Sequence, residues 1–178
     1  MTSIADATAA HQIHSAPAPR SRGRQALGLI VFLAVVFAVY GASVTITRPA
    51  IEGWYTEIAK PDFTPPNAAF PIAWTVIFLL IAVSGWQAWR RSEPGAFGWP
   101  LACFLTQLAL NFAWSALFFG EGDVFLALVD VAALILAILA TVTAFWPISR
   151  AAGVMLLPYL AWVCFATVLN AEILRLNL

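Results

Sequence analysis

Five runs of apolar residues, each about 20 residues long, constrain the fold of this chain more than any other feature. They span residues 26–46, 70–89, 99–119, 124–146 and 152–174. At 1.5 Å of rise per residue, a helix of about 20 residues crosses the roughly 30 Å of hydrocarbon in a bilayer. Only the link over residues 47–69 is long, and the others carry turn-forming Gly, Pro and Ser. The sequence therefore predicts an all-α membrane protein, a bundle of five transmembrane helices over residues 26–178.

The composition of the chain supports this class and excludes others. Of the 178 residues, 62% are apolar and 10% are charged, whereas a soluble domain is roughly half apolar and a quarter charged. Nine basic residues balance nine acidic residues, so the basic surplus that nucleic-acid binding needs is absent and no nucleic-acid partner is expected. Cys103 and Cys164 stand singly in apolar runs, which favours small buried side chains over a disulfide or a metal site.

Residues 1–25 differ from the rest of the chain. They are rich in Ala, Pro and Ser, contain His11 and His14, and end in a basic stretch. Such a segment cannot form a core and is expected to be a disordered tail, and its two histidines have no further metal ligand nearby. Basic residues before an apolar stretch are also typical of a signal peptide. The first run has the length of a membrane span, so a retained helix is the favoured interpretation.

The distribution of Lys and Arg indicates an orientation in the membrane. If the N-terminus is cytoplasmic, six basic residues lie on that side: Arg20, Arg22, Arg24, Arg90, Arg91 and Arg150. The opposite side then carries Arg48, Lys60 and Arg175. Because cytoplasmic segments carry an excess of Lys and Arg, we predict a cytoplasmic N-terminus and place the long link over residues 47–69 on the other side.

Polar side chains within the third and fifth runs are candidates for function, because polar groups are costly inside a membrane. In the third run, Gln107, Asn111 and Trp114 recur at i, i+4 and i+7 and share one helical face. The fifth run has a similar face, formed by Tyr159, Trp162, Ala166 and Asn170. Aromatic planes beside amide groups would suit a flat, mostly apolar ligand with a few polar edges. The alternative is that these side chains form hydrogen bonds between helices. We favour this alternative for Gln107 taken alone, and we weigh the two interpretations equally for the two faces together.

The long link has unusual stiffness for a loop. Prolines recur in its second half at Pro61, Pro65 and Pro66, and Pro71 follows just after it. Proline restricts the backbone and excludes regular helix, so we expect the link to hold one shape. Trp54 and Tyr55 lie within the link and Trp74 follows it, either as aromatic residues of the membrane interface or as the rim of a cavity.

Little in the chain supports catalysis. Asp130 lies within the fourth run, but no second acid or histidine in a span could continue a proton relay. A carboxylate that reaches the interface or a neighbouring donor is the favoured interpretation. No nucleophile stands beside a base, and no cluster of metal ligands is present in the sequence. We predict no catalytic residue and no metal site.

Small residues form a stripe on the third run, opposite its polar face. Ala109 and Ala113 stand at i and i+4, each about 160° around the helix from Asn111 at 100° per residue. Small residues allow close approach of helix backbones in lipid. The stripe can pack against a second subunit or against another helix of the same chain.

Several short motifs, in one order along the chain, resemble those of the TspO family, the bacterial relatives of the mitochondrial translocator protein. The motifs are Trp54-Tyr55, Lys60-Pro61, Pro65-Pro66, Pro71–Thr75, Gln107–Trp114, Phe118–Gly120, Ala127–Asp130, Pro158–Trp162 and Ala166–Asn170. The resemblance covers residues 27–177 and is far more specific than any single motif.

This resemblance implies a five-helix bundle in a bacterial cell membrane, usually a homodimer, with a pocket beneath the first long loop. It implies binding of porphyrins such as protoporphyrin IX, with no covalently attached cofactor. By position, the pocket residues of the family fall on Tyr55, Trp74, Asn111, Trp114, Trp162 and Ala166. The helical faces add Gln107, Tyr159 and Asn170 as possible supporting residues. The homodimer favours a subunit interface at Ala109 and Ala113.

The chain also departs from the family pattern. The loop carries Phe63, Asn67, Ala68 and Ala69 where the family is richer in Trp, and Ala171 replaces the aromatic residue of the cholesterol-recognition motif, so no sterol binding is predicted. The expected function is a tetrapyrrole receptor or transporter. Light- or oxygen-dependent breakdown of a bound porphyrin is the alternative, and a stress sensor acting through a partner protein is the third hypothesis.

Overall fold

The computed structural model describes residues 20–178, and in this part of the chain all regular structure is helical. The elements are α1 (Arg22–Glu52), a 3₁₀ turn (Trp54–Thr56), α2 (Ala69–Arg91), α3 (Gly98–Ser115) extended by a π-turn (Ala116–Gly120), α4 (Val124–Phe145), α5 (Arg150–Met155) and α6 (Leu157–Leu176). Helices α5 and α6 follow each other along one span. Within residues 20–178, five spans are long and apolar enough to cross a membrane, which confirms the predicted fold class.

Helix α1 is longer than the sequence predicted. It begins at Arg22, inside the segment expected to be a tail, and continues past Ile46 to Glu52. The side chain of Ser21 accepts a hydrogen bond from the backbone N–H of Arg24 and caps the first turn. The uncharged stretch between Arg24 and Arg48 has the length of one bilayer crossing, so the charged ends of α1 extend beyond the hydrocarbon. The predicted tail over residues 1–19, with both histidines, lies outside the described residues.

The third and fifth spans are not uninterrupted α-helices. The third span widens into a π-turn at its end, where Glu121 N–H donates to the carbonyl of Ala116 at 2.9 Å. The fifth span breaks at Leu156, just before Pro158. Proline has no N–H to donate into a preceding turn, but it fits the first turn of a new helix. The chain therefore ends α5 and begins α6 at this point.

Close packing between α1, α2 and α3 holds the bundle together at Gly85. This glycine of α2 is buried, and a Cβ atom placed on it would lie 2.8 Å from ring atoms of both Phe32 and Phe104. The rings of Phe32 and Phe104 meet edge to face, with centroids 5.4 Å apart. Glycine is required here because the two rings occupy the space that a side chain would take.

The basic residues assigned to the cytoplasmic side do lie together at one end of the bundle. Arg20 donates a hydrogen bond to the carbonyl of Ser92 at 2.8 Å, and Arg91 donates to the hydroxyl of Ser149 at 3.2 Å. The first contact joins the segment before α1 to the link after α2, and the second joins the end of α2 to the link after α4. The long loop over residues 53–68 occupies the opposite end.

We predict that Gly85→Ala lowers the free energy of unfolding by about 1–3 kcal/mol, because the added methyl group forces the Phe32 and Phe104 rings apart. Thermal unfolding in detergent measures the change. Gly41→Ala on α1 is the matched control, since nothing lies within 4 Å of its added Cβ. Equal melting temperatures for the two variants would contradict this packing.

Candidate ligand-binding site

A cavity of about 370 Å³ lies at the end of the bundle that carries the long loop. Four spans line it, α1, α2, α3 with its π-turn, and α6, together with residues of the loop. Its volume falls within the range of small-molecule sites, about 300–1,000 Å³. The cavity is therefore large enough to hold part or all of a small organic ligand.

All six residues that were expected to bind a ligand line this single cavity. They are Tyr55, Trp74, Asn111, Trp114, Trp162 and Ala166. Helical periodicity explains why they converge. On α6, the lining residues stand at Trp162 and at 4, 7, 8 and 11 residues after it. On α3 and its π-turn, further lining residues stand 3, 4 and 7 residues after Asn111. Each helix therefore turns one continuous face towards the cavity.

Nine aromatic residues line the cavity, and several of their rings pack against one another. The ring of Trp162 meets Trp74 at 6.3 Å and Phe70 at 5.9 Å, both edge to face. The ring of Trp114 stacks on Phe118 at 5.2 Å with an interplanar angle of 21°. Such contacts hold the rings in defined orientations. The wall therefore presents fixed aromatic surfaces to a ligand.

The amide side chains of the site bond to neighbouring helices. Trp114 Nε1 donates to Asn170 Oδ1 at 3.2 Å, and Asn170 Nδ2 donates to the carbonyl of Val124 at 2.8 Å. Asn111 Nδ2 donates to the hydroxyl of Tyr159 at 3.0 Å. Asn111 and Asn170 thus form hydrogen bonds between helices and also line the cavity. Tyr159 is fully buried behind the wall and positions Asn111.

Gln107 and Asp130 lie outside the residues that line the cavity. Gln107 is 1% exposed, and neither polar atom of its side chain has a hydrogen-bond partner among the described residues. The structure gives no interhelical hydrogen bond for this residue, which was the interpretation favoured for it. Asp130 is half-buried, and its Oδ2 has no donor within residues 20–178.

Hydrogen bonds to other parts of the chain hold the first half of the loop over the cavity. Trp54 Nε1 donates to the carbonyl of Phe119 at 3.3 Å. Near the C-terminus, Asn177 accepts from the N–H of Ala59 at 3.0 Å and donates to its carbonyl at 2.9 Å. Tyr55 is 6% exposed, and burial raises the pKa of its hydroxyl. These contacts are consistent with the stiff loop expected from its prolines.

Helix α1 contributes a wall of the cavity that the sequence analysis did not identify. Its lining residues are Tyr40, Ser43, Val44, Thr47, Arg48, Ile51 and Glu52. Their spacing of three and four residues defines one helical face. Tyr40, Ser43 and Thr47 place hydroxyl groups on this face, but Thr45 carries one outside it, so the spacing alone did not identify the face.

The small-residue stripe of α3 lies away from the cavity. Ala109 is exposed on the surface of the bundle and Ala113 is half-buried, while Asn111 faces inwards. The helix therefore separates a cavity face from an outer face, as its periodicity predicted.

These features together define a multi-pass integral membrane protein with an aromatic cavity at one end of its bundle. The chain belongs to the TspO/MBR family, whose sequence pattern matches residues 30–176. The tryptophan-rich protein TspO of Archaeoglobus fulgidus is 40% identical over 153 residues, 85% of this chain and 97% of that protein. The tryptophan-rich sensory protein of Cereibacter sphaeroides is 38% identical over 126 residues, 71% and 78% of the two chains. The human translocator protein is 35% identical over 128 residues, 70% and 75%.

We predict that the Trp114–Asn170 hydrogen bond couples α3 to α6 by about 0.5–1.5 kcal/mol. A double-mutant cycle with Trp114→Phe, Asn170→Ala and the combined variant measures this coupling through the free energy of unfolding in detergent. Phenylalanine removes the indole N–H and keeps an aromatic ring. Strictly additive effects of the two substitutions would show that the bond contributes nothing to stability.

Proposed function

We propose that this protein binds tetrapyrroles, porphyrins such as protoporphyrin IX, in the cavity beneath its loop, as a receptor or transporter. The convergence of Trp74, Trp114 and Trp162 on one cavity carries the proposal. A porphyrin is flat, rigid and apolar over most of its area, and aromatic rings held at fixed angles suit such a surface. Membership of the TspO/MBR family supports the same ligand class.

Two alternatives use the same cavity. In the first, a bound porphyrin is broken down under light or oxygen, and the wall tryptophans act as reactive partners. The observation that favours it is the position of three indole rings around the space a ligand would fill. In the second, binding is a signal that a partner protein receives, in keeping with the name of the Cereibacter relative, a tryptophan-rich sensory protein.

Absorption spectroscopy of the purified protein with protoporphyrin IX separates binding from chemistry. Samples are kept in the dark and under light, in air and without oxygen. A bound pigment with an unchanged spectrum over time in every condition supports a receptor or transporter. A new absorbing product that forms only with the protein supports breakdown. Porphyrin that stays free in detergent in the presence of the protein would contradict the proposed function.

We predict that Trp162→Ala and Ala166→Phe both weaken porphyrin binding, for opposite reasons. The first removes an aromatic contact worth about 0.5–1.5 kcal/mol beyond the area it buries. The second fills the cavity from a position where the small side chain leaves room, and it should lower affinity more than thermal stability. Quenching of porphyrin fluorescence gives the dissociation constants.

Matched controls lie on surfaces away from the cavity. Trp99→Ala removes a tryptophan that is 71% exposed near the other end of the bundle, and Ala161→Phe adds the same ring to an exposed face of α6. Both controls should bind porphyrin like the unmodified protein. If Ala166→Phe destabilises the fold while its folded fraction binds normally, Ala166 is a packing position and not part of the site.

We further propose that the protein is a homodimer whose interface includes Ala109 and Ala113. Replacing both with Leu blocks close approach of two α3 helices and should shift the detergent-solubilised protein towards monomer while porphyrin binding persists. Light scattering measures the mass. Leu at the exposed Ala132 and Ala133 of α4 is the control pair. A double variant that stays dimeric would place the interface elsewhere.

A further inference from the structure

The lining of the cavity contains one basic residue and one acidic residue, and both stand near the C-terminal end of α1. Arg48 and Glu52 belong to the cavity face of the helix and are exposed at the mouth, while the other residues of the lining are uncharged. We propose that Arg48 binds a carboxylate of the ligand and that Glu52 competes with that carboxylate for the guanidinium group. This inference rests on the proposed function and specifies the chemistry of the ligand.

The existing contact of Arg48 leaves most of its donors free for such a ligand. Arg48 Nε donates to Glu52 Oε1 at 3.3 Å, and the two side chains are 79% and 70% exposed. An exposed pair four residues apart on a helix contributes little stability. A guanidinium group has five N–H donors and forms paired hydrogen bonds with a carboxylate. A ligand carboxylate held in place by the rest of the ligand can therefore displace Glu52.

Lys60, which contacts a residue of the cavity wall, is already engaged. Lys60 lies over the ring of Tyr55, with its Nζ 4.7 Å from the ring centroid, and the same atom donates to the carbonyl of Ile58 at 3.3 Å. Lys60 does not line the cavity. Among residues 20–178, Arg48 is thus the cation in position to meet a ligand in this cavity.

A second polar group on the same face of α1 points to a ligand. Ser43 lines the cavity and is 7% exposed, and its hydroxyl oxygen has no hydrogen-bond partner within the described residues. It lies five residues before Arg48, a distance of about 7.5 Å along the helix axis. The face therefore offers a buried hydroxyl inside the cavity and a guanidinium at its mouth.

These positions define the ligand as a flat apolar body with a carboxylate at one edge. The body would lie against the tryptophans, where water is excluded, and the carboxylate would stay at the mouth, where its charge remains partly hydrated. A charged edge directed inwards would meet no cation. The orientation of the ligand in the cavity therefore follows from the position of Arg48.

Two porphyrins that differ only at the carboxylates test the inference. Protoporphyrin IX carries two carboxylates, and its dimethyl ester carries none. Arg48→Gln should weaken binding of the diacid about tenfold, since a hydrogen bond to a charged group is lost, and should leave binding of the ester within about twofold. Glu52→Gln removes the competitor and should tighten binding of the diacid alone. Arg48→Lys keeps the positive charge but loses the paired N–H donors of the guanidinium group. Its affinity for the diacid should therefore lie between those of Arg48→Gln and the unmodified protein.

Arg24→Gln is the matched control, because Arg24 is exposed at the opposite end of the same helix. Circular dichroism and thermal unfolding establish that each variant is folded. If Arg48→Gln lost the same affinity for the diacid and the ester, or lost no affinity for the diacid, the inference would be overturned. The proposed function would still hold, because the unmodified protein would still bind porphyrin. Failure of the unmodified protein to bind either porphyrin would overturn both.

Discussion

The two hydrogen bonds of Asn170 are the interaction on which the geometry of the site depends. One amide group accepts from the indole of Trp114 on α3 and donates to the backbone of Val124 at the start of α4. Inside a membrane there is no bulk water to replace a lost partner, so an unpaired amide there is costly. The side chain of Asn170 therefore sets the relative position of three helices. Trp114 is held against the cavity by the same contact.

The polar groups of the site therefore have different roles. The amides of Asn111 and Asn170 already have partners on other helices, so they shape the wall and offer little further bonding to a ligand. The rings of Trp74, Trp114 and Trp162 supply contact area. In the proposed mode of binding, polar recognition falls to α1, where the Ser43 hydroxyl and most N–H groups of Arg48 have no partner among residues 20–178. Specificity in such a cavity comes from shape over most of the ligand and from charge at one edge.

The sequence predicted the spans and the cavity faces of α3 and α6 because both follow from periodicity, whereas Tyr55 and Trp74 were assigned to the cavity by the family resemblance. Trp162, Ala166 and Asn170 share one helical face wherever the helix lies in the bundle, so their spacing alone was sufficient to group them. Two features lay beyond local spacing. The π-turn after Ser115 has no sequence signal of its own, and the α1 wall resembles an ordinary apolar run until the packed bundle shows which side faces inwards. Gln107 was assigned a bonding role from its residue type, but its partners depend on packing that a single helix does not reveal.

The mouth of the cavity depends on where α1 ends, and the sequence analysis placed that end six residues too early. A helix that ended at Ile46 would leave Arg48 in the loop, with no fixed relation to Tyr40 or Ser43. Pro49 argues for such an end, because proline lacks the N–H that would bond to the carbonyl four residues earlier. The helix nevertheless continues to Glu52, and the N–H of Gly53 closes its last turn on the carbonyl of Ala50 at 3.2 Å. One missing bond is tolerated near the end of a long helix, where water at the interface can reach the free carbonyl. The continued helix thus places Arg48 on the cavity face of α1 and its charge at the mouth of the cavity.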